Sequence, residues 1–446
     1  MFKVIGSLSL IAGLRFFGLF VVMPVLSLYA ISLNIDHKDD MALVGFAISA
    51  YAISQIVFQI PFGILGDRYS KRNVIAFGLV IFIIGSLICA YATSIEMIII
   101  GRIIQGAGAI GSVVSAKITD LVLEEKRGSA MAFMGIAIFI SFILAMIVGP
   151  SAGMKYGVDK LFILTAILSF FSIILLYTLV PKAPHLEYLS TKGVSKYKNI
   201  IKNKNIMILN LSVLIQKFLM TFAFTIIPVV LVHHLGMNEK NIWIVFALSA
   251  IIGLFMIIPS MIISEKYKKP KIVLLFGIIL FCLAFVFMGM GDAKQNLMIY
   301  SIGVILFFGA FCIQEPILQN LASKYPKMQE KSLSLGIFTT FGYLGSFFGG
   351  IIGGKLFNHI DFVYIAIFVF IFMIVWFVIL LRLINPSLQE NLYISLDKDI
   401  TNLDSINSLN GVIESYINKS QKLLIIKYNN KIVSKEKLSN EIRKFL

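Results

Sequence analysis

Apolar residues gather into twelve long runs along the chain, at 4–30, 43–64, 73–92, 96–118, 129–152, 160–180, 205–232, 242–264, 271–291, 297–321, 333–355 and 362–385. Each is about 20 residues or longer, enough for a helix to cross a hydrocarbon core about 30 Å thick. None shows the two-residue alternation of a membrane β-strand. The pattern predicts an all-α membrane protein of twelve transmembrane helices, six on either side of a long polar stretch. The polar breaks carry a second regularity. At an offset of 198 residues Pro61 aligns with Pro259, Asp67 with Glu265, Arg68 with Lys266, Tyr69 with Tyr267 and Lys71 with Lys269. Each copy follows one apolar run and precedes the next. Membrane halves that echo each other predict two pseudo-symmetric bundles with a site between them near the bilayer midplane.

Four segments follow from this reading: a six-helix bundle over 1–182, a basic connection over 183–204, a second bundle over 205–386, and a small domain over 387–446. The first run is too long for a signal peptide and holds Arg15 and Pro24, so it is read as a retained helix. After Pro386 the hydropathy pattern changes. Strands are expected at 391–396 and 422–428, and helices at 404–419 and 434–446, with Ser434 as a cap. Together they predict a small α+β unit of the βαβ(β)α kind.

Composition agrees with a bilayer: 58% of residues are hydrophobic, 14% are charged, and the mean hydropathy is +0.91. The net charge of +16 has a topological origin. Lysine and arginine crowd the even-numbered connections, which puts those connections and both termini in the cytoplasm of an inner-membrane protein. That face should attract anionic lipid head groups, and nucleic acid is not an expected partner. Cys89, Cys282 and Cys312 all lie in predicted helices without paired spacing. The histidines lie in loops or at helix ends and are expected to be solvated. No phosphate-binding loop or metal-ligand pattern occurs, so neither a metal nor a cofactor nor an enzymatic reaction is expected.

Arg15, Arg102, Lys217 and Glu315 sit well inside predicted spans. An unpaired ion at the centre of a bilayer costs about 2.5–3.5 kcal/mol even on lenient scales, so each is a candidate for proton coupling. Glu315, beside Pro316, is expected to gain and lose a proton. Lys217 is expected either to pair with it or to hold an anionic substrate group. Tyr29, Gln55, Gln59, Gln216, Gln314 and Tyr343 are the polar candidates for a substrate cavity whose wall is supplied by Phe and Met.

Gly63, Leu65, Asp67, Arg68, Lys71 and Arg72 between helices two and three resemble the signature loop of the major facilitator superfamily. Ser70 stands where that family has a glycine. Gly101-Arg102 followed by Gln105-Gly106 resembles its second motif, and Gly149, Pro150 and Gly153 resemble the helix-packing motif of drug/proton antiporters, with Ala145 and Met154 at two glycine positions. Leu14–Gly18, Met23–Leu26, Gln59–Gly63, Met131–Gly135 and Gly336–Phe341 are similar to the YajR type of that family, which ends in a ferredoxin-like cytoplasmic domain. The resemblance implies a proton-transfer role for Arg102. It also implies a conformational switch in which Asp67 faces the start of helix eleven near Ser332, Arg68 or Arg72 engages Asp120, and Glu265 echoes Asp67. The function expected is proton-coupled efflux of an amphipathic or hydrophobic compound by a monomer. An importer or symporter of a polar metabolite, or a membrane sensor that transports nothing, stands as the alternative.

Overall fold

The computed structural model describes residues 2–33, 40–122, 127–181, 203–326, 331–359, 362–383, 389–395, 406, 409–418, 423–430 and 432–442. The first bundle comprises α1 (Phe2–Phe20), α2 (Met23–Leu33), α3 (Met41–Arg68), α4 (Lys71–Ala90), α5 (Ile95–Ala107), α6 (Gly111–Leu121), α7 (Arg127–Tyr156) and α8 (Val158–Leu179). The second comprises α9 (Lys204–Val229), α10 (Ile242–Met261), α11 (Pro270–Ala293), α12 (Leu297–Lys324), α13 (Lys331–His359) and α14 (Phe362–Leu381). Wider π-turns at Val230–His234 and Ile262–Lys266 extend α9 and α10. Eleven stretches among the described residues are long and apolar enough to cross a membrane, and α14 supplies a twelfth helix of 20 residues. The connection expected at 183–204 lies outside the described residues up to position 202.

Helix starts follow local chemistry. The carboxylate of Asp40 caps α3 at the amides of Ala42 and Leu43, and Asn296 caps α12 at Met298 and Ile299. Two predicted spans are broken. The first is interrupted at Val21–Val22, just ahead of Pro24, giving α1 and α2. The fourth is interrupted at Gly108–Ile110, giving α5 and α6. Both breaks lie where another helix comes close. A Cβ at Gly149 of α7 would stand 2.0 Å from the Val21 carbonyl oxygen, and one at Gly108 would stand 2.3 Å from that of Gly78.

The even-numbered connections, rich in Lys and Arg, define a basic face. Over the opposite, outer half the bundles share one hydrophobic core that joins α2 and the outer ends of α3, α4, α5 and α7 to the whole second bundle. Toward the basic face the first bundle has a core of its own, built from α1, α4, α6 and their neighbours. Accordingly α2 packs on α9, whereas α1 and α6 pack chiefly on α3, α4, α7 and α8. The outer seam is α3 against α13. Gly45 and Gly350 each abut the other's carbonyl, and a Cβ at Gly354 would lie 2.0 Å from the Met41 oxygen. The core that the bundles share thus lies toward the outer face, and the first bundle's separate core lies toward the basic one.

The C-terminal unit holds β1 (Gln389–Ser395), β2 (Val412–Asn418), β3 (Leu423–Asn429) and α15 (Lys435–Ile442). Both outer strands run antiparallel to β3, in the order β1-β3-β2. Leu392, Leu424, Ile426, Tyr428, Leu438 and Ile442 form its core. The helix expected over 404–419 is corrected, since 412–418 is strand. Gly411, with φ at 90°, turns the chain immediately before it, and the segment that follows is rich in β-branched and aromatic residues. The unit meets the membrane part on its basic face, where Lys427 Nζ donates to the carbonyls of Lys324 (2.6 Å) and Pro326 (3.1 Å) at the end of α12.

Candidate functional site

Glu315 lies nine residues, about 14 Å of helix, from the basic end of α12, inside a segment that the proline ring of Pro316 loosens. Its Oε1 accepts from Lys217 Nζ of α9 at 2.9 Å. The two side chains keep 16% and 20% of their surface, so the pair stays partly accessible while most of it is out of water. Gln216, fully buried, completes the carboxylate's surroundings. With its amide oriented by its neighbours, Nε2 donates to Glu315 Oε2 at 2.9 Å and Oε1 accepts from the Glu315 N–H at 3.2 Å. Gln216, expected in the substrate wall, thus belongs to this carboxylate. Gln319 adds a longer contact to Oε1 at 3.5 Å.

The arginines are placed differently. Both are buried, and among the described residues neither has a carboxylate within ion-pair distance. Arg15 donates to the Gly108 carbonyl at 2.7 Å, across the break in the fourth span. Arg102 donates to Gln105 Oε1 at 2.6 Å and to the Ile48 carbonyl at 3.4 Å, and its guanidinium lies 4.7 Å from the ring centroid of Tyr51. Both therefore clamp backbone and rings inside the first bundle, with donor atoms left over: Nε and Nη1 of Arg15 and Nε of Arg102 meet no acceptor.

Aromatic rings join the two charge sites across the interface. Arg15 sits over Phe16, which stacks on Phe20. Phe20 meets Phe142 edge-on at 5.1 Å, Phe142 meets Phe311 of the other bundle at 5.3 Å, and the Lys217 ammonium lies 4.9 Å from the Phe311 centroid. With 38 phenylalanines in the chain, nothing in the sequence singled these out.

The remaining polar candidates scatter. Gln55 donates to the Gly106 carbonyl at 2.7 Å and Gln314 to that of Leu274 at 2.9 Å, each holding together two helices of its own bundle. Tyr343 faces Tyr51 edge-on across the interface at 6.4 Å, Gln59 is buried in α3, and Tyr29 is half-buried in α2.

The signature loop makes a clasp within the first bundle. Lys71 Nζ pairs with Asp120 at 2.7 Å. This corrects the expectation that Arg68 or Arg72 takes Asp120: Arg68 is exposed, and Arg72 lies over the Tyr177 ring and reaches the Val180 carbonyl. Lys71 opens α4, which aims it at the end of α6. The side chains of Asp67 and Ser332 lie outside the described ones, while Gly63 has open space at its Cβ position. In the echo, Glu265 pairs with Lys324 of α12 at 3.0 Å and with Asn320. Both loops thus clasp the end of a neighbouring even-numbered helix, with the signs of the charges exchanged. Gly149 and Gly153 pack α7 against Val21, Val25 and Leu161, with Pro150 inside the helix between them. His234 is exposed, as expected, and its Nδ1 also meets Asp292 Oδ1 at 3.1 Å while the ring stacks on Phe357.

Known proteins share this arrangement. The family model described as Major Facilitator Superfamily matches residues 8–349. The inner membrane transport protein YajR of Escherichia coli is 30% identical over 443 residues, 98% of this chain and 96% of that one. The quinolone resistance protein NorA of Staphylococcus aureus is 24% identical over 370 residues, 78% and 88% of the two. A crystal structure of a D-xylose–proton symporter superposes with a TM-score of 0.73 at 17% identity, covering 86% of this chain and 98% of its own. The fold described above is thus shared with the solved symporter. The chain belongs to the major facilitator superfamily and is a multi-pass secondary transporter, not an enzyme.

Proposed function

We propose that the protein exports amphipathic or hydrophobic small molecules in exchange for protons, from an inner membrane whose cytoplasmic side is the basic face carrying both termini. Glu315 carries this reading. It is a carboxylate deep in a span, held by Lys217 yet still one-fifth exposed. Protonation from the outer side removes its charge and releases Lys217, and deprotonation toward the cytoplasm restores the pair. Alternating the charge of one interfacial group gives each opening of the carrier its own preferred packing. Arg102 and Arg15 hold the first bundle's side of a crevice between the bundles, with Gln59 and Tyr343 among its polar lining. The clasps Lys71–Asp120 and Glu265–Lys324 keep each bundle rigid while the two rock. Kinship with a quinolone resistance protein, and with a protein named as an inner membrane transport protein, supports the membrane and the direction.

The test is substrate-driven proton movement. In proteoliposomes with an acid lumen, ethidium added outside should raise the lumenal pH when the native chain is present, and Glu315→Gln should abolish that change. Equal alkalinisation by Glu315→Gln would remove Glu315 from the mechanism.

A further inference from the structure

We propose that Gln216 makes the proton and Lys217 compete for a single oxygen of Glu315. The inference rests on the reading of Glu315 as the proton carrier and adds what links its protonation to the movement of a second charge.

A carboxylate has two oxygens, and a proton on either neutralises it. If Lys217 held one and the proton took the other, protonation would leave the lysine in place and the linkage would be loose. Gln216 closes that route. Its carbonyl Oε1 accepts from the Glu315 backbone N–H, which fixes which way the amide points, so only the NH2 group can face Glu315 Oε2, at 2.9 Å. An amide NH2 donates and cannot accept. A proton on Oε2 would leave that NH2 only the weaker lone pair of a hydroxyl oxygen to donate to, in a fully buried contact, since Gln216 has no exposed surface. Oε1 is therefore the favoured oxygen for the proton, since the exposed Gln319 amide that also reaches it, at 3.5 Å, is free to turn away. That oxygen is the one Lys217 Nζ occupies at 2.9 Å. The step is a plain exchange: a proton from solvent forms the Oε1–H bond, the Nζ–H···Oε1 hydrogen bond breaks, and the neutral carboxyl keeps its carbonyl on Gln216. The freed ammonium retains the Phe311 ring at 4.9 Å, which in turn touches Phe142 of the other bundle. Lys217 is the charged group facing Glu315 from the neighbouring helix, and the Cys312 thiol is the titratable group on its own helix. Gln216 is a positioning residue in this scheme, since it acts through Glu315.

Infrared difference spectroscopy of the full chain in liposomes reads the carboxyl band of Glu315, identified by its loss in Glu315→Gln. In the native background Lys217→Met should move the appearance of the band to higher pH by about one unit, tenfold in proton concentration. In the Gln216→Met background the same change should shrink to about threefold or less, as expected of coupled sites. Gln216→Asn, one methylene too short to hold both groups, should act like Gln216→Met. The native band itself should fall at the frequency of a hydrogen-bonded carbonyl and rise in both Gln216 variants. An undiminished effect of Lys217→Met without the glutamine amide, or a native band at the frequency of a free carbonyl, would overturn the inference. Absence of any titrating band in the native chain would instead refute the role given to Glu315 itself.

Discussion

At the scale of single residues, a charge in a span is easy to find from sequence and its partner is not. Depth alone marked Arg15, Arg102, Lys217 and Glu315, and depth alone made Lys217 and Glu315 a reasonable pair. It could not tell that the arginines spend their donors on carbonyls of Gly108 and Ile48, because backbone acceptors leave no trace in a residue string. Helical direction decides the rest. Lys71 rather than Arg68 or Arg72 reaches Asp120 because it is the first residue of α4. Reading the outer ends of α9 and α11 as one face would have brought His234 and Asp292 together. The Lys71–Asp120 pair, about one-fifth exposed on either side, stabilises by about 1 kcal/mol or less. Lys71→Asp should lower the melting temperature of the purified protein, and adding Asp120→Lys should restore it. A double variant no more stable than the single one would show that the contact is incidental.

At the scale of elements, apolar runs gave every span, because a crossing helix needs about 20 apolar residues whatever it packs against. The breaks in the first and fourth spans were less legible. They depend on which glycine meets which carbonyl, as Gly149 does with Val21 and Gly108 with Gly78. Strand β2 was missed because 404–419 looked helical to a 3.6-residue reading, although Gly411 punctuates it. The α3–α13 seam carries the clearest consequence. A Cβ at Gly354 would lie 2.0 Å from the Met41 carbonyl oxygen, against an ordinary contact of 3.4 Å or more, so the outer ends of these helices must part to admit one. Gly354→Leu should lengthen the distance between spin labels at Leu43 and Leu356 and slow transport. An unchanged distance would mean that the seam does not set the outer closure.

At the scale of the whole molecule, two bundles share a core toward the outer face, while the first bundle has a second core of its own toward the basic face. The C-terminal unit reaches this machine through Lys427, on the helix that also bears Glu315. One proton supplies enough work for export: about 2.3 kcal/mol per 100 mV plus about 1.4 kcal/mol per pH unit sustains a gradient of a few hundred-fold. Direction and coupling are therefore questions of mechanism rather than of energy. The most direct measurement is ethidium accumulation in proteoliposomes with and without a pH gradient, for the native chain and for Glu315→Gln. The native chain should concentrate the dye in an acid lumen, whereas Glu315→Gln should exchange labelled for unlabelled dye but never accumulate it. Uphill accumulation by Glu315→Gln at the native level would contradict the account.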